Sequence, residues 1–331
     1  MRGHQYQLVG VGSPVVDLLA RVSDDYLASI MGKKGGMELI DAKAIEQILA
    51  SLPEPPSIVP GGSAGNAAFA AARMGITTSF IGKIGNDELG RMYREHFALT
   101  GGDPGRFKFG NLPNGRCISL ITPDSERTLR TNLGAAMTLT PDEISVTDFE
   151  GCRHAHIEGY ILFNRDLMYK VLDSAKAAGC SISIDLASFE VVHASHDILE
   201  SILADYIDIV FANEEEAQAF TGLSDDYPKM VQALGKLCSI AVVKLGAEGS
   251  LIQQADQTLR IDPISVDRAI DTTAAGDFWA AGFLAGWLSN KSLMSAGRQG
   301  SILGAAVVEV MGSALDATKW QQIRDTVKDW S

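Results

Sequence analysis

Residues 271–288 read Asp271-Thr272-Thr273-Ala274-Ala275-Gly276-Asp277, then FWAAGFLAGWL through Leu288. An acid and two threonines precede a run of small residues, a second acid follows, and a long apolar helix continues from there. Asp271 or a threonine can cap that helix. Its first turn carries side chains too small to shield the N–H groups of Ala275, Gly276 and Asp277, and a helix N-terminus with bare amides attracts anions. The helix dipole favours the ionised form of Asp277, which can then accept a proton from an alcohol. An anion pocket beside a general base is what phosphoryl transfer to a hydroxyl requires. The plainer alternative is an Asp that only caps a tightly packed helix. The stripes Ala281/Ala285 and Gly282/Gly286 fit close packing, but packing does not explain two acids bracketing small residues.

Working outward, Gly61-Gly62-Ser63-Ala64-Gly65-Asn66 follows a turn-rich stretch, Pro53–Pro60, and opens another helix. Ser63 suits the N-cap. The paired glycines let the backbone approach a ligand, and the Asn66 amide can meet a polyol hydroxyl; a glycine-rich turn that merely starts a helix is the alternative. Asn213-Glu214-Glu215-Glu216 follows an apolar run, where carboxylates suit a hydrated Mg²⁺ beyond a strand's C-terminal end, or simply a solvated helix start. Lys244, Gly246 and Gly249 follow another run and suit either a nucleotide contact or a plain β-turn.

Short apolar runs alternate with helical segments along the chain, as in an α/β fold with a mostly parallel sheet. Strands are expected at 7–11, 79–84, 156–159, 181–185, 207–212 and 240–244. Helices are expected at 64–74, 88–99, 165–178, 214–221, 227–237, 276–289 and 295–311. Four extended pieces break the rhythm: 15–22, 37–40, and a hairpin of 116–122 and 127–132 turned by Pro123-Asp124-Ser125-Glu126. Together they would form a small sheet covering a site, or an edge of the main sheet.

The 331 residues are 46% hydrophobic and 21% charged, which excludes a largely disordered chain. A formal net charge of −13 argues against a nucleic-acid or anionic-membrane surface. The apolar start is interrupted by Gly10, Gly12 and Pro14, unlike a leader peptide. No apolar run reaches the roughly 20 residues of a membrane helix. Cys117, Cys152, Cys180 and Cys238 are scattered, and free thiols in the cytoplasm are expected. Gly10-x-Gly12 lacks the third glycine of a dinucleotide fingerprint, and Pro14 does not suit a helix opening on a pyrophosphate. No P-loop and no Gly-x-Ser-x-Gly elbow occurs. His154/His156 and His193/His196 lack the flanking Glu of a zinc motif.

In this order, these segments resemble the ribokinase (PfkB) family of carbohydrate and nucleoside kinases, from Val9 to about Ala314. The signatures that carry the resemblance are Gly61–Asn66, continued by Ala72-Arg73-Met74-Gly75, and Asp271–Asp277. The resemblance implies a ribokinase-like three-layer α/β/α sandwich with a small β lid, the core near 1–13, 41–105 and 135–331 and the lid near 14–40 and 106–134. It implies ATP-dependent phosphorylation of a primary hydroxyl. Asp277 would be the base, and the amides of Ala274, Ala275, Gly276 and Asp277 the anion hole. Asp17, Gly61, Gly62 and Asn66 would bind the acceptor. Asn213, Lys244, Gly246 and Gly249 would lie at the nucleotide, and Glu216 would reach Mg²⁺ through water. Asp271 and Thr273 match part of a monovalent-cation (K⁺) site found in many members. The anion hole often reads Gly-Ala-Gly-Asp, and here Ala274 adds a methyl while keeping its amide. The segments Arg116–Asp124, Glu126–Thr128 and Leu133–Ala135 resemble the lid of the adenosine-kinase-like branch, with Arg130 either at a substrate oxygen or on the surface. A lid edge could also pair two copies of the chain. A non-catalytic sugar or nucleoside sensor on the same fold is the alternative function.

Overall fold

A computed structural model describes residues 5–124 and 126–329. In chain order its strands are β1 Tyr6–Val11, β2 Val15–Arg21, β3 Met37–Leu39, β4 Ser57–Pro60, β5 Thr78–Ile81, β6 Lys83–Gly85, β7 Lys108–Gly110, β8 Gly115–Ile121, β9 Arg127–Asn132, β10 Cys152–Glu158, β11 Ser181–Asp185, β12 Ile209–Asn213, β13 Ile240–Lys244, β14 Ser250–Gln254 and β15 Gln257–Ile261. The helices are α1 Asp24–Ser29, α2 Ala42–Ser51, α3 Ser63–Arg73, α4 Glu88–Leu99, α5 Arg165–Ala177, α6 Phe189–Tyr206, α7 Glu214–Thr221, α8 Tyr227–Gly235, α9 Ala275–Leu288, α10 Leu293–Val307 and α11 Ala317–Asp329.

The large sheet runs β15-β14-β13-β12-β11-β10-β1-β5, parallel from β13 to β5 and antiparallel at β14 and β15. Both faces are covered, which is why its strands are near-continuous apolar runs. Val9, Val11, Val210 and Ala212 face α5–α8, while Leu8, Ile209 and Phe211 face the other way, against Trp279, Phe283 and Leu284 of α9. The chain leaves β1 for β5 on one side and later fills β10 onward on the other. Strand order therefore reverses at β1/β10, where open α/β sheets bind ligands beyond the strands' C-terminal ends. The small residues of α9 do allow close packing: a Cβ on Gly282 would lie 2.5 Å from the Gln299 carbonyl oxygen of α10.

The small sheet is β3-β9-β8-β2-β4. It contains the four expected pieces and a fifth. Ser57–Pro60, assigned from sequence to the core and read as turn, pairs antiparallel with β2 and forms an edge. Val16, Leu18 and Ala20 of β2 join Ile118 and Leu120 of β8 against Phe69, Phe80 and Tyr93. Asp17 therefore points to the opposite face, in register with Cys117 and Val59. β8 and β9 form the expected hairpin, Ile121 opposite Arg127. Ser125 of its turn and residues 1–4 of the chain start lie outside the described residues.

The segment expected as one strand at 79–84 is split into β5 and β6. Sequence reading also missed α6, whose Val191, Val192, Ser195, Leu199, Ile202 and Leu203 are buried at helical spacing. Among the described residues no helix is long and apolar enough to cross a membrane.

Candidate active site

The loop before α9 is pinned by backbone bonds from Ile270 and Asp271 to the Val308 carbonyl, 2.7 and 3.2 Å. Neither Asp271 nor a threonine caps α9, contrary to the sequence expectation. The N-cap is Ala274, in left-handed conformation at φ 62°, with no side-chain bond to the helix start. The Ala275 N–H turns to the Thr272 carbonyl at 3.2 Å. Gly276 and Asp277 follow in the first turn, where N–H groups have no intrahelical acceptor. The expected anion hole is thus reduced in this state, because one of its four amides is already engaged.

α3 begins in the same way. Its N-cap is Gly62 at φ 85°, and no side chain caps it. A Cβ there would lie 2.3 Å from the Ser13 carbonyl oxygen, so both conformation and space require glycine. Ser63, expected as the cap, is the first helical residue and donates its hydroxyl to Asp277 Oδ1 at 2.8 Å. One turn on, Asn66 Nδ2 donates to Asp277 Oδ2 at 2.9 Å. The Asn66 Oδ1 is buried without a partner, an acceptor that a ligand hydroxyl could satisfy. Gly61 lies so close to Asp17 of the lid that a Cβ would be 2.3 Å from Asp17 Oδ2. Tyr93 fixes this turn by donating to the Gly61 carbonyl at 2.9 Å.

Strand ends supply the remaining charges. Glu158, last in β10, accepts from Ser13 N at 2.8 Å and Ala64 N at 3.3 Å. Asp185, last in β11, pairs with Lys244 Nζ, last in β13, at 2.7 Å. A Cβ on Gly276 would meet the same Nζ at 2.9 Å, so this glycine admits the lysine as well as any anion. Asn213 and Glu216 cap each other at the start of α7, each side chain taking the other's N–H at 2.8 Å. Glu216 is buried whereas Glu215 beside it is exposed, so the solvated-helix reading fits Glu215 and not Glu216. Gly246 and Gly249, at φ 50° and 89°, form the turn from β13 into β14; a Cβ on Gly249 would collide with the Ile261 carbonyl, whereas Gly246 faces Glu214.

Burial pushes the Asp277 carboxyl up to about 6, although the Asn66 and Ser63 hydrogen bonds and Lys244 hold it down. Burial likewise raises Asp17, Glu158 and Glu216 to about 7. Burial pulls Lys244 the other way, but Asp185, Glu216 and Asp277 outweigh it and keep the ammonium charged. Asp185, Glu216 and Asp277 around a single ammonium leave an excess of buried negative charge, which suits a divalent cation. Among the described residues no three histidines, cysteines or acids converge closely enough to ligate a metal directly.

The expected alkali-cation ligands are otherwise engaged. Asp271 accepts from Thr273 N at 2.9 Å and from Gly312 N, and the Arg127 guanidinium donates to both the Asp271 carboxylate and the Thr273 hydroxyl. A K⁺ ion does not fit this arrangement. Arg130 is neither at a substrate nor on the surface: it is buried, donating to carbonyls of Met31 and Leu129 at 2.9 Å each. His154 and His156 are buried beside Ser181 and Ser183, where burial keeps them neutral.

Sequence reading missed Glu158, Asp185 and Arg127. The first two carried a usable signal, a charged residue closing an apolar parallel strand at the ligand-binding edge. Arg127 carried none, since only tertiary contact brings a lid residue to Asp271.

The description "pfkB family carbohydrate kinase" belongs to the family model that matches residues 35–320. Adenosine kinase of Saccharomyces cerevisiae is 28% identical over 94% of this chain and 97% of its own. A ribokinase of Arabidopsis thaliana is 28% identical over 94% of this chain and 78% of its own. The crystal structure of adenosine kinase from Sinorhizobium meliloti superposes with a TM-score of 0.87 at 28% identity, covering 97% of this chain and 99% of that one.

Proposed function

Since the chain belongs to the PfkB family, and is therefore a kinase that phosphorylates an alcohol group of a sugar or nucleoside, we propose that it transfers the γ-phosphoryl group of ATP to a primary hydroxyl of a ribonucleoside or ribose-like acceptor, adenosine first among them. The observation that carries this reading is the Asp277 carboxylate, held by Ser63 and Asn66 at the uncapped start of α9. Similarity to two adenosine kinases over nearly the whole chain favours adenosine as acceptor. Family membership and the retained carboxylate leave the non-catalytic sensor without support.

The acceptor lies between Asp17 on the lid and the Gly61–Asn66 turn, with Asn66 Oδ1 open to accept a hydrogen bond from one of its hydroxyls. Asp277 accepts the proton of the reacting hydroxyl. That oxygen forms its bond to the γ-phosphorus as the bond to the β-phosphate oxygen breaks, and ADP leaves with the electron pair. The Gly276 and Asp277 amides and the Lys244 ammonium stabilise charge on the phosphoryl group in flight. Asp185, Asn213 and Glu216 fit the water shell of a Mg²⁺ ion, which would offset the charge of the triphosphate when bound. Gly246 and its turn border the nucleotide. Free, largely buried cysteines suit a reducing cytoplasm.

An ATP-consumption screen over adenosine, inosine, cytidine, ribose, fructose and ketodeoxygluconate tests the reading. Turnover with adenosine or ribose, lost in Asp277→Asn, is expected. Turnover confined to a hexose, or an Asp277→Asn enzyme as fast as wild type, overturns it.

A further inference from the structure

Asp271 is buried at the loop that ends in Ala274 and the open turn of α9. Its Oδ1 takes the Thr273 N–H and its Oδ2 takes the Gly312 N–H. A carboxylate so placed needs a counter-charge, and one is supplied within the chain: Arg127, first residue of lid strand β9, is mostly buried, and its two terminal nitrogens reach Asp271 Oδ2 and Thr273 Oγ1. A planar guanidinium can donate to two oxygens at once, which a spherical ion with the same charge meets only by recruiting further ligands. The surroundings also oppose an added cation. The cleft beside Asp271, of about 220 Å³, is lined by Arg21 and Arg268 as well as Arg127.

We propose that the Arg127 guanidinium is the resident cation of the Asp271–Thr273 loop, replacing an alkali-metal ion and tying the lid hairpin to the turn that presents the anion hole. Arg127 is thereby a positioning residue. It acts on the reaction through the loop that sets Ala274 and the amides behind it, and it makes the geometry of that loop depend on where β9 lies. Asp17, across the lid sheet, also feels the Arg127 charge, so the same guanidinium links the acceptor side of the cleft to the phosphoryl side.

The test compares wild type with Arg127→Met in KCl, NaCl and tetramethylammonium chloride at equal ionic strength, reading melting temperature and ATP turnover. For the wild type, replacing tetramethylammonium by K⁺ should leave the melting temperature unchanged and alter turnover by less than about twofold. Arg127→Met should melt lower, lose turnover, and acquire a K⁺-dependent rise in melting temperature, because the Asp271 carboxylate is then left buried without a counter-ion. A wild-type protein stabilised or activated severalfold by K⁺ overturns the proposal. So does an Arg127→Met protein whose melting is as indifferent to K⁺ as wild type. If Arg127→Met does not fold, the wild-type comparison stands alone, and Arg127→Lys takes the variant's place: a point charge spans the two oxygens less well, so part of the lost stability should return with K⁺. The inference draws on the kinase reading only for its turnover measurement. Failure of that reading would show as absent turnover in every salt, with the melting result intact.

Discussion

Helix N-termini in this molecule fall into two kinds. At α1, α2, α4, α5, α6, α7, α8, α10 and α11 a side chain accepts an N–H of the first turn: Ser23, Asp41, Asp87, Asn164, Ser188, Asn213, Asp226, Ser292 and Asp316. Among the described residues, the N-caps of α3 and α9, Gly62 and Ala274, have positive φ and offer no side-chain acceptor; at α3 the Ala64 N–H goes instead to Glu158 of β10 at 3.3 Å. These two open ends meet, Ser63 and Asn66 of one holding Asp277 of the other. Capping contributes about 1 kcal/mol per helix, so leaving two ends open costs stability. The contrast shows where the chain keeps N–H groups for a ligand, at the start of α9 above all, and where it satisfies them internally.

The largest break in this contrast is chemical. Asp277→Asn leaves both open ends in place but removes the proton acceptor, and kcat should fall by about 10²–10⁴-fold while the melting temperature stays near wild type. Closing an open end should be nearly as damaging. Ala274→Asp puts a carboxylate at the entrance to the α9 amides in a conformation Asp tolerates; kcat/KM should fall by about 10²-fold or more without loss of fold, as circular dichroism would show. A variant that keeps its activity would mean that the amides of α9 do not face the phosphoryl group.

Acidity sharpens the comparison further. In the unliganded protein Asp277 titrates at about 6, so kcat/KM should lose about tenfold per pH unit below that value and level off above it. The stability effect has the opposite sign. A carboxyl whose folded value is raised holds more protons folded than unfolded, so its contribution is fully present below the unfolded value and is lost as pH rises through the folded one. Glu216, raised from 4.5 to about 7, should therefore destabilise the unliganded protein increasingly as pH rises from about 4.5 to about 7. The melting-temperature advantage of Glu216→Gln over wild type should grow across that window, and saturating MgATP should abolish it. An advantage that does not change with pH would place Glu216 in a solvated setting.

The smallest effect belongs to a closed end. Asn164→Ala, at α5 away from the cleft, removes a cap that accepts from Leu167 N at 3.2 Å. It should cost about 1 kcal/mol, read as a small drop in melting temperature, with kcat and KM unchanged. A kinetic effect there would dissolve the distinction between the two kinds of helix start.

Local rules reached far in this chain. Strands such as Ser181–Asp185 and Ile240–Lys244 and helices such as Glu88–Leu99 could be read from sequence residue for residue, because continuous apolar runs and capped amphipathic periods are properties of neighbours along the chain. The two glycine-bearing helix starts and Asp277 were visible for the same reason: small residues beside an acid are a local pattern. Tertiary structure decided what those residues touch. Ser63 gave up capping for Asp277. Ser57–Pro60 left the core for the lid. Arg127 crossed from the lid hairpin to Asp271, and Glu158, Asp185 and Lys244 converged from separate strands. A hydrogen bond between residues 214 positions apart leaves no period or spacing in the sequence. Its energy depends on the packing of two layers and a lid, and these exist only once the chain has folded.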